Sequence, residues 1–364
     1  MSGIREPYWH DEHAAIYHGD AREVLAEMDE GSVDCIVTSP PYWGLRNYCE
    51  GQYGQEPTPD YVDTLLATFA EARRVLADDG TFWLNLGDCY AANSDGWSRG
   101  KDYNSRQPEV RPKARQAVLP KNLLGMPWRV AFALQEDGWI LRNAIVWSKP
   151  NAMPQSVRDR MSNRYELIFL LVKQQRYWFD LDPVRQPYIG DRPMSRRARA
   201  GGNKPNSITT AWPPPGKYGS DGEDTAGPRH GAAMRPTGER HAAAHPNGRN
   251  PGDVWSIPTR PLRAHFAAFP IDIPLKAIAA GCRPGGTVLD PFTGSGTTGI
   301  AARQLGRKFA GIELNADYCE LARDRLLPGE PHSRRSTGPV NFGPTTCHAD
   351  GSPTLDGGAK EDTP

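Results

Sequence analysis

A chain of 364 residues can bury a substantial core in one large domain or two smaller ones, and an apolar content of 38% supports a globular body. With 43 Lys and Arg against 43 Asp and Glu the formal charge is zero, which excludes a uniformly basic surface. The charged N-terminus "MSGIREPYWHDEHAA" has no apolar leader segment, and the longest apolar stretch, "LIFLLV", is too short to span a membrane, so a soluble cytoplasmic protein is expected.

In chain order, "AAIYHGD" reads as a strand ending at Asp20, "AREVLAEM" as a helix, and "VDCIVTS" as an apolar strand running into a Pro-Pro turn. A helix over about 61–76, a strand "GTFWLNLGD", a helix near 125–136 and the strands "WILRNAIVW" and "YELIFLLVK" follow. Residues 190–252 carry 20 Gly and Pro, interleaved with Arg and His, and read as a long irregular insertion. Beyond it come a helix "PIDIPLKAIAAG", a strand "TVLD", a second short strand ending at Glu313 and a last helix over 314–327. From residue 328 to the end, 20 of 37 residues are Pro, Gly, Ser or Thr, the composition of a disordered tail.

Strands alternating with helices indicate a doubly wound, mostly parallel α/β sheet. "DPFTGSGTTGIAARQLGRKFAGIEL" places Gly294, Gly296 and Gly299 in a strand-turn-helix context, with Glu313 nineteen positions after Gly294. That spacing suits a nucleotide on a helix N-terminus and a carboxylate gripping a ribose, with Gly296 giving close backbone approach. Such a unit normally opens a sheet, yet here it comes late. The sheet is therefore expected to be circularly permuted, with its first and second strands at 287–290 and 309–313, its third at 15–19 and its fourth at 33–38. The glycine turn and "TSPPYW" then lie side by side at the switch point, where ligands bind. A P-loop is disfavoured because "GSGTT" offers no Lys, whereas an NAD-dependent oxidoreductase remains an alternative.

In "TSPPYWGLRNY" two prolines remove freedom from a strand-ending turn and hold its acceptors still. An exocyclic amine on cytosine or adenine is a poor nucleophile because its lone pair is delocalised. Acceptors on its two N–H bonds, the Ser39 hydroxyl and the Pro40 carbonyl, would favour a pyramidal nitrogen aimed at an electrophilic methyl. Tyr42, with Trp43 behind it, offers an aromatic face to a base taken out of the duplex stack, although an ordinary turn with core aromatics would also use these residues.

On "VDCIVTSPPYW", "NRYELIFLLVK", "VLDPFTGSGTT" and "AGIELN" the sequence resembles the S-adenosylmethionine-dependent amino-methyltransferases of DNA, in the permuted arrangement called the beta class. The resemblance covers roughly 15–50, 60–180 and 264–327, and implies the seven-stranded Rossmann-like methyltransferase sheet. It implies that Ser39, Pro40, Pro41, Tyr42 and Trp43 form the catalytic turn. Asp290, Phe292, Gly294, Gly296, Thr297, Thr298 and Asn315 would lie about the cofactor, with Glu313 on its ribose. Asp20 would lie near the adenine, and reads equally well as a plain strand-end turn. The implied organisation is a catalytic half over 1–182, a target-recognition insertion over 183–264, a cofactor-binding part over 265–327 and a disordered tail over 328–364. The implied cofactor is S-adenosylmethionine, with no metal, and the implied partner is double-stranded DNA, with a cognate restriction endonuclease where one accompanies the enzyme and no membrane. Monomer and homodimer are both left open. Such enzymes belong inside prokaryotic or phage-infected cells. In the family Ser at position 39 more often accompanies N4 methylation of cytosine than N6 methylation of adenine, and the choice stays tilted rather than fixed.

The basic surplus supports a nucleic-acid partner only in part. Residues 183–264 hold 13 Lys and Arg against 6 acids, and 94–121 hold 7 against 3, but solvated loops look the same. "HDEH" at 10–13 and "HAAAH" at 241–245 mimic metal-ligand spacing in polar sequence with no further ligands. The six cysteines are scattered without a Cys-x-x-Cys pair, and no Pro-Cys offers a nucleophile for ring-carbon methylation.

Overall fold

The computed structural model describes residues 5–43, 53–54, 58–91, 119, 121–187, 245, 247–260 and 269–327. The tail, most of the 183–264 insertion, the basic stretch 94–121 save its last residues, and four of the five residues of "HAAAH" lie outside the described residues. Two compact units divide the chain, one drawn from Met1–Val184 and Pro251–Val340, the other from Arg185–Asn250 and Asn341–Pro364. In the second, Gln186 and Arg249 form an antiparallel bridge, and Arg185 Nη1 donates to the Gly248 carbonyl at 3.1 Å.

The first unit holds a nine-stranded sheet. Its elements are β1 (Trp9–His10), β2 (Ala14–His18), α1 (Ala21–Glu27), β3 (Val33–Thr38), α2 (Thr58–Val75), β4 (Leu76–Leu86), α3 (Met126–Glu136), β5 (Ile140–Ser148) and β6 (Tyr165–Val172). These are followed by β7 (Val254–Ser256), α4 (Asp272–Gly281), β8 (Thr287–Asp290), α5 (Thr297–Gln304), β9 (Lys308–Glu313) and α6 (Ala316–Leu326). The spatial order is β1-β2-β9-β8-β3-β4-β6-β5-β7. The four adjacent strands β2, β9, β8 and β3 are parallel, in the order expected from the sequence. Past β4, β6 runs antiparallel to both β4 and β5. Nine strands rather than seven arise because two short pieces extend the edges: β1 pairs antiparallel with β2, and β7 pairs parallel with β5.

Burial explains the centre. In β3 every residue but Asp34 is buried, the near-continuous apolar run of a strand covered on both faces. On α2, Tyr61, Leu65, Phe69, Ala72 and Val75 recur every three or four residues and are wholly or almost wholly buried against Phe82, Leu84 and Leu86 of β4. The last helix starts at Ala316 rather than residue 314 because the Asn315 side chain caps it, accepting from Asp317 N at 2.8 Å. In "HDEH", Asp11 Oδ1 accepts from the backbone of His13 and Ala14, so it makes the β1–β2 turn, and its other oxygen pairs with Arg303.

Candidate active site

Because β9, β8 and β3 are parallel neighbours, their carboxyl ends deliver Glu313, Asp290 and Ser39 side by side, at the edge where parallel α/β sheets bind ligands. Asp290 ties two of these ends together. Only 2% exposed, it accepts from Thr38 Oγ1 at 2.6 Å, from Thr298 Oγ1 at 2.6 Å and from Phe292 N at 3.1 Å. Burial pushes its carboxyl up to about 6, against the downward pull of those donors.

Glu313 holds the glycine turn from the other side. Its Oε2 accepts from Gly294 N at 2.7 Å and its Oε1 from Asn315 N at 2.8 Å. Burial raises its carboxyl and these two N–H groups lower it, with burial prevailing. Gly294 and Gly296 both take left-handed φ, +51 and +74, which the tight turn into α5 requires. Phe292 follows Asp290 half-buried, edge-on to Tyr53 with ring centroids 5.2 Å apart. The Tyr53 hydroxyl in turn donates to Asp20 Oδ2 at 3.1 Å.

Five of the residues expected at the cofactor make contacts within the scaffold. Thr298 is fully buried and its hydroxyl is spent on Asp290, so it supports the site from beneath rather than lining it. Asn315 Oδ1 caps α6, and Thr297 is buried beside Ser295 and Arg325. The Cα of Gly296 faces the last helix, where a Cβ would stand 3.1 Å from the Ala322 Cβ. The close approach it permits is thus between α5 and α6. Asp20 is the N-cap of α1, accepting from Arg22 N at 2.9 Å and Glu23 N at 3.2 Å, and only its second oxygen reaches Tyr53.

The Pro-Pro turn is held at several points. Pro40 is buried, and the Pro41 carbonyl accepts from the Tyr61 hydroxyl at 2.9 Å. The Trp43 carbonyl accepts from Cys89 Sγ at 3.5 Å, while Ser39, Tyr42 and Trp43 stay partly exposed. A Cβ at Gly87 would stand 2.6 Å from Tyr42 Cε2, so that glycine closes in on the ring. The Tyr42 hydroxyl donates to Glu166 Oε2 at 2.7 Å, and Ser39 Oγ donates to Tyr42 Oη at 3.2 Å. Burial, then the Glu166 carboxylate, push the phenol well above its usual range.

Asn85, Glu166 and Lys149 complete this cluster and were not singled out from the sequence. Asn85, 2% exposed, sits in β4 and reaches Glu166 Oε2 and the Leu167 carbonyl. Lys149 pairs with Glu166 Oε1, and its ammonium lies 4.3 Å from the centre of the Trp147 ring. A signal was present for two of them, since Glu166 and Asn85 interrupt the apolar strands "YELIFLLV" and "WLNL". Nothing local marks Lys149.

The pattern of the DNA methylase family matches residues 33–324. The Type II methyltransferase M.SmaI of Serratia marcescens is 40% identical over 316 residues, 86% of this chain and 90% of that protein. M.Cfr9I of Citrobacter freundii is 39% identical over 86% of this chain and 87% of its own. Among solved structures, the PvuII DNA methyltransferase (cytosine-N4-specific) superposes with a TM-score of 0.57 at 18% identity, covering 89% of each chain. The putative DNA modification methylase TTHA0409 of Thermus thermophilus, in complex with S-adenosyl-L-methionine, gives 0.51 at 24% identity over 86% of this chain and 95% of that one. Nothing in these likenesses supports the oxidoreductase alternative. The turns after β8 and β3, together with a family match across most of the chain, place it in the DNA methylase family: it is a DNA methyltransferase of the N6/N4 amino group.

Proposed function

We propose that this enzyme moves the methyl group of S-adenosylmethionine to N4 of a cytosine extruded from double-stranded DNA. The observation that carries the reading is the state of Ser39. Its hydroxyl proton is donated to Tyr42, so its lone pairs are left to accept from the amine of an incoming base. A neutral hydroxyl at this position, rather than a carboxylate, tilts the choice towards cytosine, and the cytosine-N4-specific neighbour of like fold agrees with it.

The residues at the glycine turn fit the cofactor. Glu313 is a carboxylate at the end of β9, as ribose hydroxyls require, and Phe292 presents a half-buried ring beside Gly294. Bound there, the cofactor supplies an electrophilic methyl on a sulfonium. Asp290, Phe292, Gly294 and Glu313 would hold it, with Asp20 towards the adenine end through Tyr53. Ser39 and the Pro40 carbonyl would orient the amine, and Tyr42 and Trp43 would flank the base. The 183–264 insertion is assigned to target recognition on its basic surplus, and residues 328–364 to no part in catalysis.

Titration calorimetry with S-adenosylmethionine and with NAD, followed by mass spectrometry of nucleosides from DNA treated with the enzyme, tests the reading. Binding of the first ligand alone and recovery of N4-methylcytosine are expected. N6-methyladenine as sole product would move the substrate to adenine, and 5-methylcytosine would overturn the amino-group assignment.

A further inference from the structure

Two charged side chains are largely buried behind the Pro-Pro turn, an arrangement that a purely structural strand end does not need. Glu166 and Lys149 are 16% and 19% exposed, and burying such a pair costs desolvation that their attraction repays only with good geometry and further hydrogen bonds. Both oxygens of Glu166 are engaged. Oε1 meets Lys149, while Oε2 takes the Tyr42 hydroxyl at 2.7 Å and Asn85 Nδ2 at 3.3 Å. The Tyr42 hydroxyl faces two acceptors, Glu166 Oε2 at 2.7 Å and Asn85 Oδ1 at 3.1 Å, and the shorter contact, together with the donation from Ser39, leads from the partly exposed turn to the Glu166 carboxylate.

We propose that Glu166, held by Lys149, receives through Tyr42 and Ser39 the proton that the target amine loses during methyl transfer. The inference rests on the function proposed above and holds for cytosine or adenine, since either amine must shed a proton. In the step, the amine lone pair forms the N–C bond as the S–C bond breaks, and the sulfonium charge passes to the nitrogen. The N–H pair then returns to nitrogen as its proton moves to Ser39 Oγ, the Ser39 proton moves to Tyr42 Oη and the Tyr42 proton moves to Glu166. The sulfonium charge and the Glu166 charge cancel, and the Lys149 ammonium is unchanged. Tyr42 need never exist as a free phenolate, in keeping with a phenol whose acidity burial suppresses. Glu166 and Lys149 are positioning residues in this scheme, because they act on the base through Tyr42 and Ser39.

The test is single-turnover transfer of tritiated methyl from S-adenosylmethionine to plasmid DNA from a host without DNA methylases, with binding of cofactor and DNA measured separately. Glu166→Gln keeps polar contacts to Tyr42 and Asn85 but is no proton acceptor. It is expected to slow transfer about 100-fold while both dissociation constants stay within about threefold. Tyr42→Phe should add little further loss in that background, since both residues belong to one chain. Should Glu166→Gln not fold, Lys149→Met with Glu166→Gln removes both charges together and should show the same loss. Transfer by the folded variant within about threefold of wild type, or losses that multiply independently in the Glu166→Gln and Tyr42→Phe pair, would overturn the relay alone. A wild-type enzyme that yields no methylated amine would bring down the proposed function and the relay together.

Discussion

Thr38, the last residue of β3, donates through Oγ1 to Asp290 Oδ1, the last residue of β8, at 2.6 Å, and both are almost wholly buried. This bond joins the start of the Pro-Pro turn to the start of the glycine turn, two segments separated by 252 positions. It fixes the two turns in one frame, as the proposed transfer between two bound molecules demands.

Thr38→Val should therefore destabilise the fold in a pH-dependent way. The lost donor faces a charged acceptor at pH 8, where urea unfolding should show a cost of about 1.5–3 kcal/mol. At pH 4.5 Asp290 is protonated, its carboxyl having been pushed up to about 6, and the cost should fall to about 1 kcal/mol. Equal costs at both pH values would show that Asp290 is not the partner that matters.

Asp290 itself should set part of the wild-type stability profile. The folded carboxyl, at about 6, binds its proton more tightly than the unfolded one at 3.8. Its contribution thus favours folding in full below pH 3.8 and is lost as pH rises through about 6, a change of about 3 kcal/mol for one buried group. Asp290→Asn should flatten that limb of the stability curve. An unaltered slope between pH 4 and 6 would assign the proton uptake elsewhere.

Cofactor affinity should weaken in acid through Glu313. Burial raises this carboxyl, so protonation removes an acceptor both for the Gly294 and Asn315 N–H groups and for ribose hydroxyls. Calorimetry should show tighter S-adenosylmethionine binding at pH 8 than at pH 5.5. Glu313→Gln should weaken binding about tenfold at pH 8 and lose most of the pH dependence, consistent with about 1.5 kcal/mol for one charge-assisted hydrogen bond. A Glu313→Gln variant with wild-type affinity would remove Glu313 from the cofactor site.

Gly87→Ala should separate binding from chemistry. Its Cβ would stand 2.6 Å from Cε2 and 2.8 Å from Cδ2 of Tyr42, forcing the ring to move. Methyl transfer should fall by about 100-fold, the scale of an ångström-sized misplacement, while S-adenosylmethionine binding is retained. Parallel loss of cofactor affinity would mean that Tyr42 supports the whole cleft.

Gly296→Leu should act first on folding. A side chain there meets Ala322 of α6, and φ of +74 strains any L residue, so a melting-temperature drop worth about 1–3 kcal/mol is expected. Wild-type thermal stability with abolished cofactor binding would restore Gly296 to direct contact.

The sequence by itself determined the strand-helix alternation, the order of the four parallel strands from β2 to β3 and the juxtaposition of the two turns. Those features rest on local periodicity and on chain connectivity, both of which are written along the chain. "VLDPFTGSGTT" and "TSPPYW" were legible for the same reason, since a turn's glycines and prolines act on their own backbone. Only the tertiary structure decided what each side chain spends its hydrogen bonds on. Thr298 and Asn315 sit in the glycine segment or just past β9, yet serve Asp290 and the cap of α6, and Gly296 opens towards Ala322 rather than towards the cleft. Asn85 lies in β4, Glu166 in β6 and Lys149 just past β5, and β6 runs antiparallel between β4 and β5. Their meeting behind Tyr42 depends on the pairing register of those strands, and register is set by packing between segments far apart in the chain, which no local pattern carries.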